Sequence, residues 1–303
     1  MTLKVSVILP IYNGEKTLAQ TLESLLQQTF QDFELIACID GSKDNSLAIV
    51  NSFKDQFKKA VILINENNLG LGATMNRLVA SAQGDYIAVA EQDDFYYPDR
   101  LALQVDVLDT MPQIGLVSGI SDFWDGNKIG MRFPGMLVSG NQYPKKEEMF
   151  LLNYKKQIKV VNSAMMFRKA VHVDHGLYFS KHYPSISIDW SYILRFCLIS
   201  DIHGIHKSLV LLDRRDDRNS VTSNKTKQYA ASRELIRSFY YEFPNLIGRK
   251  EYKFAMTTQY LMELSSLRVY QFPFSFLRFF IQNPTDRRWS GYLLKRITRV
   301  FKR

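Results

Sequence analysis

The sequence predicts an α/β fold: a mainly parallel sheet flanked by helices, followed by a helical C-terminal extension. Three observations point there. Apolar runs without polar alternation recur through the first hundred residues, at Val5 to Pro10, Phe33 to Ile39, Val61 to Ile64 and Tyr86 to Ala90, as strands buried on both faces do. Between them lie segments with apolar residues at helical spacing, such as Leu18, Leu22, Leu25 and Leu26. From about Lys225 onward the chain reads as helical to its end, broken near Pro244, Pro273 and Pro284.

Each element follows from local signals. After the first strand a polar turn, Tyr12-Asn13-Gly14-Glu15, leads into a helix over Thr17 to Gln28. The second strand ends in Asp40-Gly41-Ser42, and Asp44 or Asn45 is placed to cap a helix running to about Phe57. The third strand is followed by Asn67-Asn68-Leu69-Gly70-Leu71-Gly72 and a helix that Gly84 terminates. Pro98 opens the helix after the fourth strand. Ligands of such sheets bind at the carboxyl ends of the strands, so four polar turns converge on one rim. Past Gly115 the pattern loosens. A glycine-interrupted loop is expected over Ser121 to Pro144, then a helix near Glu147 to Asn153 and a strand over Val160 to Phe167. A helix over Ser191 to Ile199 and a strand over Ile205 to Leu212 follow, ending in the charged turn Arg214 to Asn219.

With 303 residues, 46% hydrophobic and 23% charged, the chain can hold one large α/β domain with an appendage, or two domains. The two cysteines, Cys38 and Cys197, lie in apolar surroundings and read as reduced core thiols. No apolar run approaches the roughly 20 residues that span a bilayer, and the first strand begins almost at Met1, so a cytoplasmic protein is expected. The net charge is +9, yet residues 268–303 alone carry nine Lys/Arg against the single acid Asp286. A basic tail without a basic stripe elsewhere argues against nucleic acid as the partner.

The segment Glu91-Gln92-Asp93-Asp94 carries the strongest chemical signal. Three carboxylates in four residues at the end of a buried strand are costly unless a cation compensates them. Mg²⁺ is usually held by one or two carboxylates together with substrate phosphates. A solvated acidic turn capping the next helix fits the four residues equally well.

The stretches VSVILPIYNGEKTLAQTLESLLQQTFQDFELIACIDGSKDNS and NENNLGLGATMNRLVASAQGDYIAVAEQDDFYYPDRL resemble the nucleotide-sugar half of family 2 glycosyltransferases with the GT-A fold. The resemblance is close over about residues 4–105 and traceable to about 222. It implies a GT-A domain over 1–222, with a donor half of about 1–110 and an acceptor half of about 111–222, and a helical region over 223–303. It further implies that Pro10 and Tyr12 line a nucleobase pocket, that Asp40 accepts a hydrogen bond from the base, and that Asn76 and Arg77 face the donor. Glu91-Gln92-Asp93 stands where the family has its Asp-x-Asp motif. Asp93 would then bind Mg²⁺ or Mn²⁺, with Glu91 a second ligand and Gln92 on the donor side. Asp189 falls at the catalytic base. Where the family often has a histidine, Arg214 and Arg215 stand as diphosphate contacts. Glu91 and Ile188 depart from the usual residues at their positions.

The implied reaction is inverting transfer of a sugar from a nucleotide-diphosphate donor, with uracil as the expected base. The acceptor is a glycan or lipid-linked saccharide of a bacterial surface pathway. Chemistry supports the inventory: a leaving nucleoside diphosphate needs positive charge, and an acceptor hydroxyl needs a base. Two rivals are a sugar nucleotidyltransferase, which would want a Gly-rich basic loop where Tyr12 to Glu15 stand, and an inactive membrane-associated glycan-binding module. Gly70-Leu71-Gly72 lacks the third glycine of a dinucleotide fingerprint. Each acid also has a plainer reading: Asp40 as a turn residue, Asp94 and Asp189 as helix caps. In the tail, Phe272 to Phe280 and the basic amphipathic run Trp289 to Phe301 predict peripheral contact of residues 270–303 with an anionic membrane, on the cytoplasmic face of the inner membrane. A second copy of the chain, forming a homodimer, is the other partner such a helix could pack on.

Overall fold

The apolar runs of the first half form strands β1 (Val5–Ile11), β2 (Phe33–Asp40), β3 (Ala60–Asn65) and β4 (Tyr86–Val89). All pair in parallel, in the order β3-β2-β1-β4. Val5 sits between Phe33 and Tyr86, and every side chain of β2 and β4 is buried. Helices α1 (Leu18–Leu26), α2 (Ser46–Phe53) and α3 (Leu71–Ser81) connect the strands. Leu18, Leu22 and Leu25 of α1 and Val50 of α2 join Val5, Val7, Leu9, Leu35, Ala37 and Ile39 in one core. Met75, Leu78 and Val79 of α3 are buried as that helix packs on β1 and β2. The structure is a computed structural model and describes residues 3–137, 139–158, 160–182, 187–215, 225–267, 272–283, 286–291 and 294.

The second half extends the same sheet and departs from the sequence expectation in four places. The expected loop over Ser121 to Pro144 is in part strand: β6 (Ile114–Trp124) extends into it and pairs with β7 (Ile129–Phe133). Two glycines permit close approaches in this region, Gly135 among those that suggested the loop and Gly119 just before it. A Cβ on Gly119 would lie 2.4 Å from Leu209, and Gly135, at φ +64°, would place one 2.2 Å from the Gly119 backbone. Asp94, expected at the end of the acidic turn, instead opens β5 (Asp94–Tyr96), which leads to α4 (Arg100–Thr110). The expected strand over Val160 to Phe167 is a 3₁₀ turn, Asn162–Ala164, followed by β8 (Met166–Arg168). The last strand is longer than expected, β9 (Asp201–Asp213). The full order is β3-β2-β1-β4-β8-β6-β9-β5; β8 runs antiparallel to β4 and β6, β9 parallel to β6, and β5 antiparallel to β9. Helices α5 (Lys146–Lys156), α6 (Lys169–Asp174) and α7 (Ile188–Ile199) complete this half.

The chain divides into two compact units, residues 1–153 with 158–223, and 154–157 with 224–303. The second contains α8 (Lys225–Glu242), α9 (Arg249–Ser266) and α10 (Phe272–Gln282). Leu235, Ile236 and Phe239 of α8 are buried, and Phe279 of α10 packs with Leu261 and Leu264 of α9. Arg288 stacks 3.7 Å from the Phe254 ring and binds the Asp286 carboxylate through two nitrogens. Among the described residues, no helix is long and apolar enough to cross a membrane. Most of the amphipathic run Trp289 to Phe301 lies outside the described residues.

Candidate active site

The turns at the carboxyl ends of β1 and β2 are locked to each other. The Asn13 and Gly14 amides donate to the hydroxyls of Ser42 (3.0 Å) and Ser46 (2.8 Å), and Asn13 Oδ1 accepts the Lys43 amide at 3.0 Å. Asn13 takes a positive φ of 51°, a conformation asparagine tolerates better than most residues. Tyr12 is 49% exposed on this rim, and Pro10 is half-buried behind it.

Asp40 is buried at the end of β2, where its carboxylate organises the next turn. Oδ1 accepts from Asn65 Nδ2 (2.8 Å) and the Leu69 amide (2.9 Å); Oδ2 accepts from the Gly70 amide (3.1 Å). Asn76 and Arg77, expected to face a donor, are engaged with the chain itself. Asn76 exchanges two 2.8 Å hydrogen bonds with the backbone of Phe179. Arg77 donates from Nη1 to the Ile64 carbonyl at 2.8 Å and to Asn65 Oδ1. Gln92 likewise brackets Tyr12: its Oε1 accepts the Tyr12 amide at 2.8 Å and its Nε2 donates to the Tyr12 carbonyl at 3.0 Å. It thereby fastens the acidic turn to the turn after β1.

Glu91, Asp93 and Asp94 bring one carboxylate oxygen each within 4.8 Å of one another. All three donors are hard oxygens, the set that suits Mg²⁺ or Mn²⁺. Asp94 is the buried member; its Oδ2 accepts from the Ser163 hydroxyl, and its carbonyl accepts from Thr21 Oγ1 at 2.9 Å. Glu91 is half-buried. Burial, then the charges of Asp93 and Asp189, push its carboxyl up to about 7, against a hydrogen bond from Asn162 that favours ionisation. The geometry thus crowds negative charge where a divalent cation would relieve it.

The charge of Asp189 also reaches Glu91. The residue stands in the first turn of α7, about a hundred residues beyond Glu91 in sequence. The cap position is Ser187, so Asp189 lies inside the helix, and its Oδ1 accepts the Trp190 amide at 2.8 Å. Arg214 and Arg215 follow β9. Because Asp94 pairs with Leu212, this end of β9 runs beside Asp93. Arg215 grips Asp213 through Nε (2.9 Å) and Nη2 (2.6 Å), and Arg214 lies 4.7 Å over the Phe123 ring. The rest of that charged turn, 216–219, lies outside the described residues.

Sequence reasoning missed four residues behind the acidic turn. Arg100 is fully buried and donates to the carbonyls of Val89 (2.7 Å) and Met165 (3.2 Å). Burial lowers its guanidinium to about 10, which keeps it cationic at neutral pH. It lies 4.5 Å over the ring of Tyr96, whose hydroxyl accepts the Glu91 amide at 2.7 Å. Asn162 and Ser163 hold Glu91 and Asp94. The available signal was that Arg100 and Gln104 share the helical phase of Leu101 and Leu108, and that Asn162-Ser163 interrupts an apolar run.

Residues 6–173 match the family described as Glycosyl transferase family 2. EpsE of Bacillus subtilis is 33% identical over 184 residues, 58% of this chain and 66% of that protein. The UDP-Glc:alpha-D-GlcNAc-diphosphoundecaprenol beta-1,3-glucosyltransferase WfgD of Escherichia coli is 26% identical over 78% of this chain and 86% of its own length. Among solved structures, S. aureus TarS 1–349 in complex with UDP-GlcNAc superposes with a TM-score of 0.63 at 21% identity, over 78% of this chain and 66% of that one. The match therefore spans about two thirds of EpsE and of the TarS fragment. With this sheet and this rim, the chain belongs to glycosyltransferase family 2, and its fold is of the GT-A kind.

Proposed function

We propose that the protein is an inverting glycosyltransferase that moves a sugar from a nucleotide-diphosphate donor, UDP-linked, to a hydroxyl of a lipid-linked saccharide or growing glycan. The single observation that carries this reading is the cluster of Glu91, Asp93 and Asp94 carboxylates at the carboxyl rim of the sheet, within reach of the Asp189 charge. Asp93 and Glu91 would hold Mg²⁺ or Mn²⁺, which supplies positive charge against the departing diphosphate. The Asp189 carboxylate takes the proton of the acceptor hydroxyl as that oxygen bonds to the anomeric carbon. The bond from that carbon to the diphosphate oxygen breaks on the opposite face, and the nucleoside diphosphate carries away the electron pair. Tyr12 and Pro10 offer a surface for the base. Asp40 Oδ2 accepts one backbone amide in the chain and retains a lone-pair site for a base N–H. WfgD's activity, transfer onto a diphosphoundecaprenol-linked sugar, supports the acceptor class; the donor of the TarS complex supports the nucleotide.

A lipid-linked acceptor calls for a membrane surface, and α10 supports one. Phe274, Leu277 and Ile281 are 78%, 57% and 68% exposed, while Phe279 on the other face is buried. Arg278 and Arg287 are exposed nearby. An apolar stripe flanked by cations fits an anionic bilayer interface, on the cytoplasmic side where nucleotide sugars are available.

The decisive assay is a thermal-shift screen of nucleotide sugars with and without Mn²⁺, followed by metal-dependent donor hydrolysis. A UDP-sugar should stabilise the protein only with the metal, and Asp93→Ala should abolish the metal effect. Metal-independent stabilisation that survives Asp93→Ala would exclude the cation site. Hydrolysis lost in that variant excludes an inactive binding module.

A further inference from the structure

Segment 162–165 is clamped behind the acidic turn. The Ala164 carbonyl accepts from Gln104 Nε2 at 2.8 Å and the Met165 carbonyl from Arg100 Nη2 at 3.2 Å, so α4 fixes its backbone. From that fixed backbone two polar side chains reach forward, one to each end of the turn. Ser163 donates to Asp94, a buried residue already held in the β5–β9 ladder. Asn162 Nδ2 donates at 2.8 Å to Oε1 of half-buried Glu91.

The chemistry of the Asn162 contact is specific. Glu91 is the longer-armed residue at a position where a shorter acid would reach a cation with less freedom. A side-chain amide removes that freedom: it occupies one carboxylate oxygen and leaves the other to turn toward the cluster. It stabilises the anion without adding a full positive charge that would compete with a cation, as Arg or Lys would. Correct ligand orientation by an outer hydrogen bond commonly changes metal affinity by about 10–100-fold.

We propose that Asn162 is a positioning residue whose amide makes Glu91 a competent cation ligand, while Asp94, held by Ser163, serves the scaffold. This rests on reading Glu91 and Asp93 as the cation site. The test is Mn²⁺ binding by the full chain in the presence of UDP, followed by the loss of the free-ion electron paramagnetic resonance signal. Asn162→Ala should weaken Mn²⁺ about tenfold and leave Tm nearly unchanged; Asn162→Asp, which sets a second carboxylate against Glu91, should weaken it further. Because the effect runs through Glu91, adding Asn162→Ala to Glu91→Ala should cost no further affinity. Ser163→Ala should lower Tm more than it lowers Mn²⁺ affinity. Wild-type affinity in Asn162→Ala, or additive losses in the double variant, would overturn the inference while leaving the cation site standing. Failure of the wild-type protein to bind Mn²⁺ with UDP would remove the cation site and the inference together. Should Asn162→Ala not fold, Asn162→Ser carries the same expectations.

Discussion

The turns after β1, β2 and β3 and the turn after β4 share one rim but are built on opposite principles. In the first group, the side chains that looked most functional are satisfied by the chain: Asp40 by Asn65, Leu69 and Gly70, Asn76 by the Phe179 backbone, Arg77 by the end of β3. At the turn after β4 the balance is the reverse, with burial first and the neighbouring Asp93 charge second raising Glu91 to about 7. One side of the rim is therefore preformed by hydrogen bonds within the chain, while the other side, held from behind by Asn162 and Ser163, gathers the negative charge that a cation would meet. Preorganisation and chemistry are separated by the length of Gln92, whose amide joins the two turns.

This contrast makes predictions that can break it. If Asp40 is architectural, Asp40→Ala should leave buried donors unpaired and destabilise the first unit by about 3 kcal/mol. Calorimetry would read this as a Tm lower by about 6–10 °C, and an unaltered Tm would move Asp40 from scaffold to ligand contact alone. Asn76→Ala should cost about 2 kcal/mol with little change in donor KM; a raised KM at constant Tm would return Asn76 to the donor. Arg77→Ala, at an exposed side chain, should cost under about 1 kcal/mol and leave kcat unchanged.

A pH prediction sharpens the scaffold side. His172 is buried, bonded through Nδ1 to the Tyr192 hydroxyl at 2.9 Å and stacked on Phe167. Burial lowers its imidazole from 6.5 to about 4. A depressed basic group stays neutral in the fold while the unfolded chain takes up the proton, so its contribution is present above pH 6.5 and is lost as pH falls toward 4. Urea midpoints should decline over that window, and less steeply in His172→Gln. Equal slopes would place the titration elsewhere. Because Tyr192 lies on α7 with Asp189, the same variant tests how firmly that helix is seated.

Much of this was legible in the sequence where one element dictates its own form. The four parallel strands announced themselves because burial on both faces demands uninterrupted apolar runs, and their terminal turns followed from the polar residues between them. The end of β6 and all of β7 were hidden because Gly126, Gly130 and Gly135 look like loop formers until the close approach of Gly135 to the Gly119 backbone is known. Asn162-Ser163 was hidden for a related reason: its partners, Glu91 and Asp94, lie some seventy residues away. Nothing in the sequence marked Arg100 for burial, which the carbonyls of Val89 and Met165 explain. Asp93 and Asp189 were placed by resemblance; the fold adds that Asp189 is within a turn of helix, not at its cap, and acts on Glu91.

The most direct test of the central claim is Asp189→Asn, which keeps size and hydrogen-bonding while removing the base. With Mn²⁺ and a UDP-sugar, the variant should bind donor as tightly as the wild type in a thermal-shift titration and transfer sugar about 10²–10⁴-fold more slowly. Transfer at the wild-type rate by Asp189→Asn would contradict the assignment outright.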